Sequence, residues 1–513
     1  MNGPSRLTNA LVIALGAILT LALQQGVEAQ DSVPGEYVVL LRKDAVNVAR
    51  INAMSADQRQ EELEGLASKL LPERNATVTR TFGLVNGVGI RIPEEQVAPP
   101  DKMRVELMAT LNEDVELIEP NYIYYQDGAE DAPMESDPRI GDMWFLERIS
   151  APQAWTVRNG SPDVIVAVVD TGVFMGHEDL QGNIWTNQAE ANGQDGVDDD
   201  HNGIVDDVHG YDFFNDDPDP SADLVTRPNG VKEYEAHGTH VAGTIGAVAN
   251  SKGIVGITRR VQIMPLKFLG GPRGSGSTID AIAAIDYAVQ NGAQVINNSW
   301  GGGGRSVALQ RAIERANSAG VLFPAAAGNG GFDGVGDDND ADPHFPSSYD
   351  SPNIIAVAAT NESNPEDLTT FSNFGAVSVD LAAPGQQILS TVPTGNNAAG
   401  PESGYAFFSG TSMATPIVSG TVALMMAEFP TMNHLAIREL ILQNVDEVPA
   451  LQGRVATNGR LNMNHALRPP TPTETPGVAA AGQPAEAAAA DPTEAAKASL
   501  RPAFNAKAQS RRE

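Results

Sequence analysis

Apolar residues follow four different patterns along this chain. The first is a lone run, Leu11 to Leu23, preceded by Arg6 and followed by Val27-Glu28-Ala29. A positive start, a short apolar stretch and a small-x-small site read as an export signal over residues 1–29, cut off after export. The run is shorter than the roughly 20 residues that span a bilayer, and no later stretch is apolar enough to do so, so no membrane association is expected once the signal is removed.

In the second pattern, short β-type runs alternate with helical ones. Glu36 to Leu41 predicts a strand, Gln58 to Leu71 a helix, Phe82 to Ile92 two short strands broken by Gly87 and Gly89, Leu107 to Leu111 a helix, and Val115 to Tyr125 a closing strand. Four strands and two helices suggest a small α+β unit over residues 30–125, followed by a linker at 126–136. From 137 to 468 the strands become almost wholly apolar: Val164 to Val169, Val261 to Leu266, Val295-Ile296, Val321 to Ala327 and Ile354 to Ala358. Strands buried on both faces, alternating with helices at Thr278 to Gln290 and Ser306 to Ala319, predict an α/β fold. Its core would be a doubly wound, mostly parallel sheet with helices on both faces. From Pro469 to Glu513 a Pro/Thr linker gives way to an Ala-rich stretch expected to be a disordered tail.

Composition narrows the function. Of 513 residues, 33 are Lys or Arg and 65 are Asp or Glu, a formal net charge of −32, which disfavours nucleic acid and anionic lipid as partners. There is no cysteine, which removes disulfides, thiol catalysis and cysteine-bound metals together.

Three short stretches carry candidate chemistry. Asp170 ends the apolar strand in Ala167-Val168-Val169-Asp170-Thr171-Gly172, at the sheet edge where parallel folds place ligands. His237 opens a small-residue helix in His237-Gly238-Thr239-His240-Val241-Ala242-Gly243-Thr244. Ser412 stands at the mouth of an apolar helix in Gly410-Thr411-Ser412-Met413-Ala414-Thr415-Pro416. Singly, these read equally well as a helix cap, a core histidine and an N-cap. Together they supply a carboxylate, a base and a nucleophile that only folding can bring together. His237-x-x-His240 has neither the i, i+4 spacing nor the intervening Glu of a zinc-protease helix.

On these stretches the chain resembles the subtilisin family of serine endopeptidases over about 137–468. The resemblance implies that Asp170 orients His237, that His237 takes the proton of Ser412, and that Ser412 attacks a peptide carbonyl. It implies further that Asn329, in Ala325-Ala326-Ala327-Gly328-Asn329-Gly330, stabilises the oxyanion. Ser299, Trp300 and Gly301 match the edge that pairs with substrate backbone, where open glycines suit an added strand. Residues 34–125 look like the family's inhibitory propeptide, released by a self-cut between about Tyr125 and Asp137. Spacing sets His344, just before Phe345-Pro346, near the base of the first specificity pocket. Two departures stand out: Ile417 follows the proline of the serine stretch where many relatives have His, and Glu233-Tyr234-Glu235-Ala236 leads into His237 in place of a short glycine-rich approach.

The acidic residues are unevenly placed. Between 195 and 223 there are 11 acids and no Lys or Arg, and 333–342 holds five more. Oxygen ligands at alternate positions followed by a glycine turn predict a calcium loop, with Asp198, Asp200, Asn202 and Asp206 as side-chain ligands and Ile204 giving its carbonyl. His209 stands where an EF-hand would have its closing Glu, so no EF-hand frame is expected. Asp337, Asp338, Asp340 and Asp342 form a second candidate. The expectation is a monomeric, exported, calcium-stabilised endopeptidase that acts on polypeptides and is inhibited by its own propeptide. A non-catalytic calcium-binding scaffold and a peptide ligase are the alternatives.

Overall fold

The computed structural model describes residues 32–42, much of 48–66, 76–93, 115–126, 129–130, and 140–468 apart from 332 and 397–399. The export segment, the helix expected over Leu107–Leu111, most of the 126–136 linker and the tail from Pro469 lie outside the described residues.

The N-terminal unit is an antiparallel sheet of β1 (Ser32–Leu41), β2 (Thr77–Phe82), β3 (Gly87–Arg91) and β4 (Val115–Gln126), in the order β4-β1-β3-β2. Its central strand is apolar on consecutive residues because both faces are covered. Tyr37, Val39 and Leu41 join Val88, Ile90 and Ile118 in the unit's own core, while Val38 and Leu40 pack with Phe82 against the larger unit. A short helix at Val48–Asn52, not expected from the sequence, lies on the first of these faces, where Val48 and Ile51 are buried.

Beyond β4, a two-residue strand β5 (Ala129–Glu130) leads towards the larger unit. There, β6 (Gly160–Asp170) is flanked in parallel by β8 (Arg260–Lys267) and β10 (Val295–Asn297), with β7 (Tyr211–Asp212) outside β8. Between β8 and β10 the chain forms β9 (Ser275–Ser277), and after β10 it forms β11 (Trp300–Gly301). Parallel bridges at Val295–Leu322 and Asn298–Ala325 carry the sheet on to β12 (Phe323–Ala326), β13 (Ile354–Thr360) and β14 (Leu381–Pro384).

Helices α1 (His237–Gly246) and α4 (Thr411–Glu428) contribute to the core on one face, and α2 (Thr278–Gln290) and α3 (Val307–Ser318) to the core on the other. The expected doubly wound α/β architecture is therefore present. The expected helix at Thr278–Gln290 is matched residue for residue. Before α4 comes an antiparallel pair, β15 (Ile388–Thr394) and β16 (Glu402–Ser409).

The two units meet through carboxylates and backbone amides. Glu119 on β4 accepts from the backbone N–H groups of Val307 (2.9 Å) and Ala308 (3.1 Å) in the first turn of α3, and from the Ser306 hydroxyl. Asn121 does the same for Ile279 at the start of α2 (2.9 Å). Helix N-termini leave such donors without intrahelical partners, so β4 caps two helices of its neighbour. In the other direction, Asp286 of α2 accepts from the Leu84 N–H (3.1 Å) in the β2–β3 turn, and burial raises its pKa.

Candidate active site

Asp170 is the last residue of β6 and is fully buried. Its Oδ1 accepts from the Thr171 backbone N–H (2.7 Å) and from His237 Nδ1–H (2.8 Å). The second bond fixes the imidazole so that Nε2 is the nitrogen left for proton exchange. Gly238 is required next to it, since a Cβ there would lie 3.2 Å from the Asp170 carboxylate and overlap the Gly172 carbonyl.

Ser412 lies in the first turn of α4, a helix buried on nearly every side that packs against α1. Such a helix runs through the core and needs no polar face. Pro416 has no N–H to give to the carbonyl four residues earlier, which is that of Ser412. That carbonyl instead accepts from the Ser299 hydroxyl (2.9 Å), while the Ser412 hydroxyl donates to the Ser299 carbonyl (2.9 Å). The serine side chain is thus locked to the strand edge at 299–301 in this state, and its proton is directed at that carbonyl.

Asn329 follows β12 at the end of the parallel sheet. Its Oδ1 accepts from the Thr411 N–H (2.8 Å) and hydroxyl (3.0 Å), so its NH2 group must turn the other way. A side-chain amide and the Ser412 N–H, near the start of a helix, are the two kinds of donor an oxyanion requires. Trp300 is buried edge-on against Phe268, with ring centroids 4.8 Å apart, and with Gly301 it pairs with Gln126 and Tyr125 of β4. On its other side β4 pairs with β9, so the two edges hold a stretch of the chain itself as an extended strand.

His240 is turned away from this group. It is stacked on Phe408, its Nε2 shared between the carbonyls of Ile388 (2.9 Å) and Ala406 (3.2 Å), and burial pushes its pKa down to about 3. Ile417 is an apolar core residue.

One buried pair beside the site was not anticipated. Lys267, at the end of β8 beside Asp170, donates to the carbonyls of Thr171 (2.9 Å) and Leu269 (3.0 Å) and to the carboxylate of Glu235. It therefore ties the strand end that carries Asp170 to the unusual approach that carries His237. Burial pushes Glu235 up to about 7 against the opposing pull of Lys267. An apolar strand ending in Lys, read alone, gave no sign that the lysine would turn inward.

The acidic loop folds around two asparagines. One carboxylate oxygen each from Glu190, Asp200 and Asp207 lie within 4.8 Å of one another, the one such group among the described residues. Asp200 accepts from the side-chain amides of Asn187 (2.8 Å) and Asn202 (3.0 Å). Asp207 accepts from Asn202 (2.9 Å) and from the Tyr287 hydroxyl, and burial pushes it up to about 6. Of the five ligands expected from sequence, Asp200 belongs to this group. Asp198 accepts from the Asn202 and Gly203 N–H groups, Asn202 Oδ1 from the Ile204 N–H, and Asp206 from the Gly196 N–H. Glu190 and Asp207 were missed because one lies on a short helix before the acidic run and the other sits where the loop had already been closed. Three hard oxygen ligands around a buried carboxylate suit a hard divalent cation. In the second acidic turn, Asp337, Asp338 and Asp340 accept from the backbone N–H groups of Gly331, Asp340 and Ser378.

Known proteins match this chain over the same region. A family model described as the subtilase family matches residues 161–468. Thermitase of Thermoactinomyces vulgaris is 35% identical over 323 residues, which cover 63% of this chain and 94% of thermitase. Alkaline elastase YaB of a Bacillus species is 34% identical over 328 residues, 64% of this chain and 70% of that protein. Among solved structures, fervidolysin from Fervidobacterium pennivorans, described as a keratinolytic enzyme related to subtilisin, superposes with a TM-score of 0.64 at 25% identity. That match covers 87% of this chain and 63% of fervidolysin.

Proposed function

Because the chain belongs to the subtilase family and is a subtilisin-like serine endopeptidase, we propose that Ser412 is its nucleophile, His237 its general base and Asp170 the group that orients His237. The 2.8 Å bond from His237 Nδ1 to Asp170, at a parallel strand end beside the first turn of α4, carries this reading.

In the reaction, Ser412 Oγ turns from the Ser299 carbonyl and adds to the peptide carbonyl carbon as His237 Nε2 takes its proton. The oxyanion receives hydrogen bonds from the Asn329 amide and the Ser412 N–H. His237 then gives the proton to the leaving amine, and water repeats the sequence on the acyl-enzyme. Ser299, Trp300 and Gly301 hold the substrate backbone as an added strand.

The precursor is organised as an export signal (1–29), a propeptide (30–125), a linker (126–136), the catalytic unit (137–468) and a tail (469–513). The propeptide inhibits by occupying the cleft with β4 and is released by self-cleavage. Among the described residues no helix is long and apolar enough to cross a membrane. Calcium stabilises the loop between Asn187 and Asp207; Glu190, Asp200 and Asp207 are its best-placed ligands, with Asp198, Asn202, Ile204 and Asp206 around them.

An active-serine phosphonate should label the mature enzyme, and neither Ser412→Ala nor His237→Ala should be labelled. A Ser412→Ala chain that still yielded a mature-sized band on its own would refute self-processing.

A further inference from the structure

We propose that Lys267 and Glu235 act as a positioning pair for the reaction: the buried ammonium fixes the approach of His237 to Asp170, and through it the rate of proton transfer, without touching substrate. The proposal rests on Ser412 acting as nucleophile and His237 as its base. It is carried by where the hydrogen bonds of one lysine go.

Lys267 ends β8 opposite Asp170 in the parallel register, and its side chain is fully buried. An ammonium has three N–H groups to give and accepts nothing. One goes to the Thr171 carbonyl (2.9 Å), one to the Leu269 carbonyl (3.0 Å) and one to the Glu235 carboxylate. Thr171 follows Asp170 in the chain, Leu269 gives its own N–H to the Asp170 carbonyl (3.2 Å), and Glu235 stands two residues before His237. All three donors therefore converge on the backbone that carries Asp170 and His237.

The start of α1 needs such a tie. Its N-cap is Ala236, whose side chain can accept nothing from the first turn, so the helix end that carries His237 has no cap of its own. Two links stand in for it, and they straddle the histidine. On one side the Gly238 N–H donates to the Thr171 hydroxyl (3.0 Å); on the other, Glu235 reaches the Thr171 carbonyl through Lys267. With both in place, His237 is held between two points on the residue next to Asp170. With one removed, the first turn can pivot about Gly238, and the 2.8 Å bond from Nδ1 to Asp170 is no longer set by the backbone.

Stability alone does not account for the pair. A buried ion pair commonly stabilises no more than an apolar pair of similar size. Glu235 also leaves Oε1 buried with no hydrogen-bond partner among the described residues, a cost that a group present only for stability would avoid. The half-exposed Asp223 carboxylate balances charge at 3.6 Å from the ammonium, too far for a hydrogen bond. The substrate edge is held separately, since Gly270 and Ser275 exchange both backbone hydrogen bonds (3.0 and 3.1 Å). Losing the pair should therefore slow the chemical step and leave substrate binding nearly unchanged.

The test is kcat and KM on one peptide substrate, per phosphonate-titrated site, alongside denaturation midpoints. Lys267→Met combined with Glu235→Leu fills the space with apolar groups and removes both ends of the tie. Its midpoint should return close to the wild-type value, while kcat falls about ten- to a hundredfold, as a base misplaced by about 1 Å requires, and KM changes by less than about threefold. Glu235→Ala and Glu235→Gln form a second arm that decides the matter should the double variant not fold. Both lose the charge and only Gln keeps an oxygen for Lys267, so Gln should exceed Ala in kcat by about tenfold. Wild-type kcat in the double variant, a loss carried by KM, or equal kcat in Ala and Gln would overturn the proposal. A wild-type protein that the phosphonate failed to label would instead refute Ser412 as nucleophile, and with it the reaction the pair serves.

Discussion

Around Asp170, each buried carboxylate meets a nitrogen base: Asp170 faces His237, and Glu235 faces Lys267. Around Asp207, the buried carboxylates meet only neutral groups, the amides of Asn187 and Asn202 and the hydroxyl of Tyr287, and they crowd one another. Desolvation is costly in both places, as the upward shifts of Glu235 to about 7 and Asp207 to about 6 show. The first region offsets part of that cost from within the chain by giving each carboxylate a base, so its geometry is complete on folding. The second leaves the cost to be met from outside, which makes it the natural place for a cation to add stability.

The sharpest way to break the first region is Asp170→Asn. Turnover should fall about 10⁴-fold with the fold intact, because the imidazole loses its tautomer; a loss under tenfold in active-site-titrated enzyme would refute the orienting role. Lys267→Met should cost roughly 3–5 kcal/mol by leaving Glu235 buried without a partner, read as a lowered denaturation midpoint. Adding Glu235→Leu should restore most of it, since an apolar pair replaces an ionic one.

The same carboxyl predicts a pH effect. Glu235 binds its proton more tightly when folded, at about 7, than at its ordinary 4.5, so the folded state is the better proton binder between those values. Stability should therefore decline as pH rises from 4.5 to 7 and level off above, by up to about 3 kcal/mol. Melting curves of the wild type and Glu235→Gln, compared across that range, should show the decline lost in the variant. In the acidic loop, calcium at about a hundred times its Kd should add about 2.7 kcal/mol, and Asp207→Asn should abolish most of that gain. Equal gains in both proteins would move the calcium site elsewhere.

What could be read in the sequence was what period and local motif encode. The strand ending at Asp170, the helix opened by His237 and the helix over Thr278–Gln290 all show as runs of apolar residues with polar groups at their ends. Pairings between distant strands left no such trace. Val115 to Tyr125 reads as one strand, but nothing local shows that its first half would join β1 while its end passed between Ser275–Ser277 and Trp300–Gly301. Glu119 and Lys267 were missed for the same reason: the amides and the carboxylate that give them meaning lie 188 and 32 residues away in the chain. The acidic loop shows the limit from the other side. Its composition announced a cluster, but which carboxylates converge depended on Asn187, Glu190 and Tyr287, all outside the acidic run.

The cleft pairs β4 over Ile123 to Gln126 and pairs the chain again at Ala129 and Glu130, so six described residues are engaged as extended backbone. At about 3.3 Å per residue those six amount to roughly 20 Å of drawn-out backbone. Few intact globular proteins offer such a length without giving up contacts of their own. For a compact target, the speed of destruction would then be set by how often the target frays, whatever the vigour of the enzyme. A cleft of this shape acts as a gauge of other proteins' stability, sparing the well-packed and removing the loose.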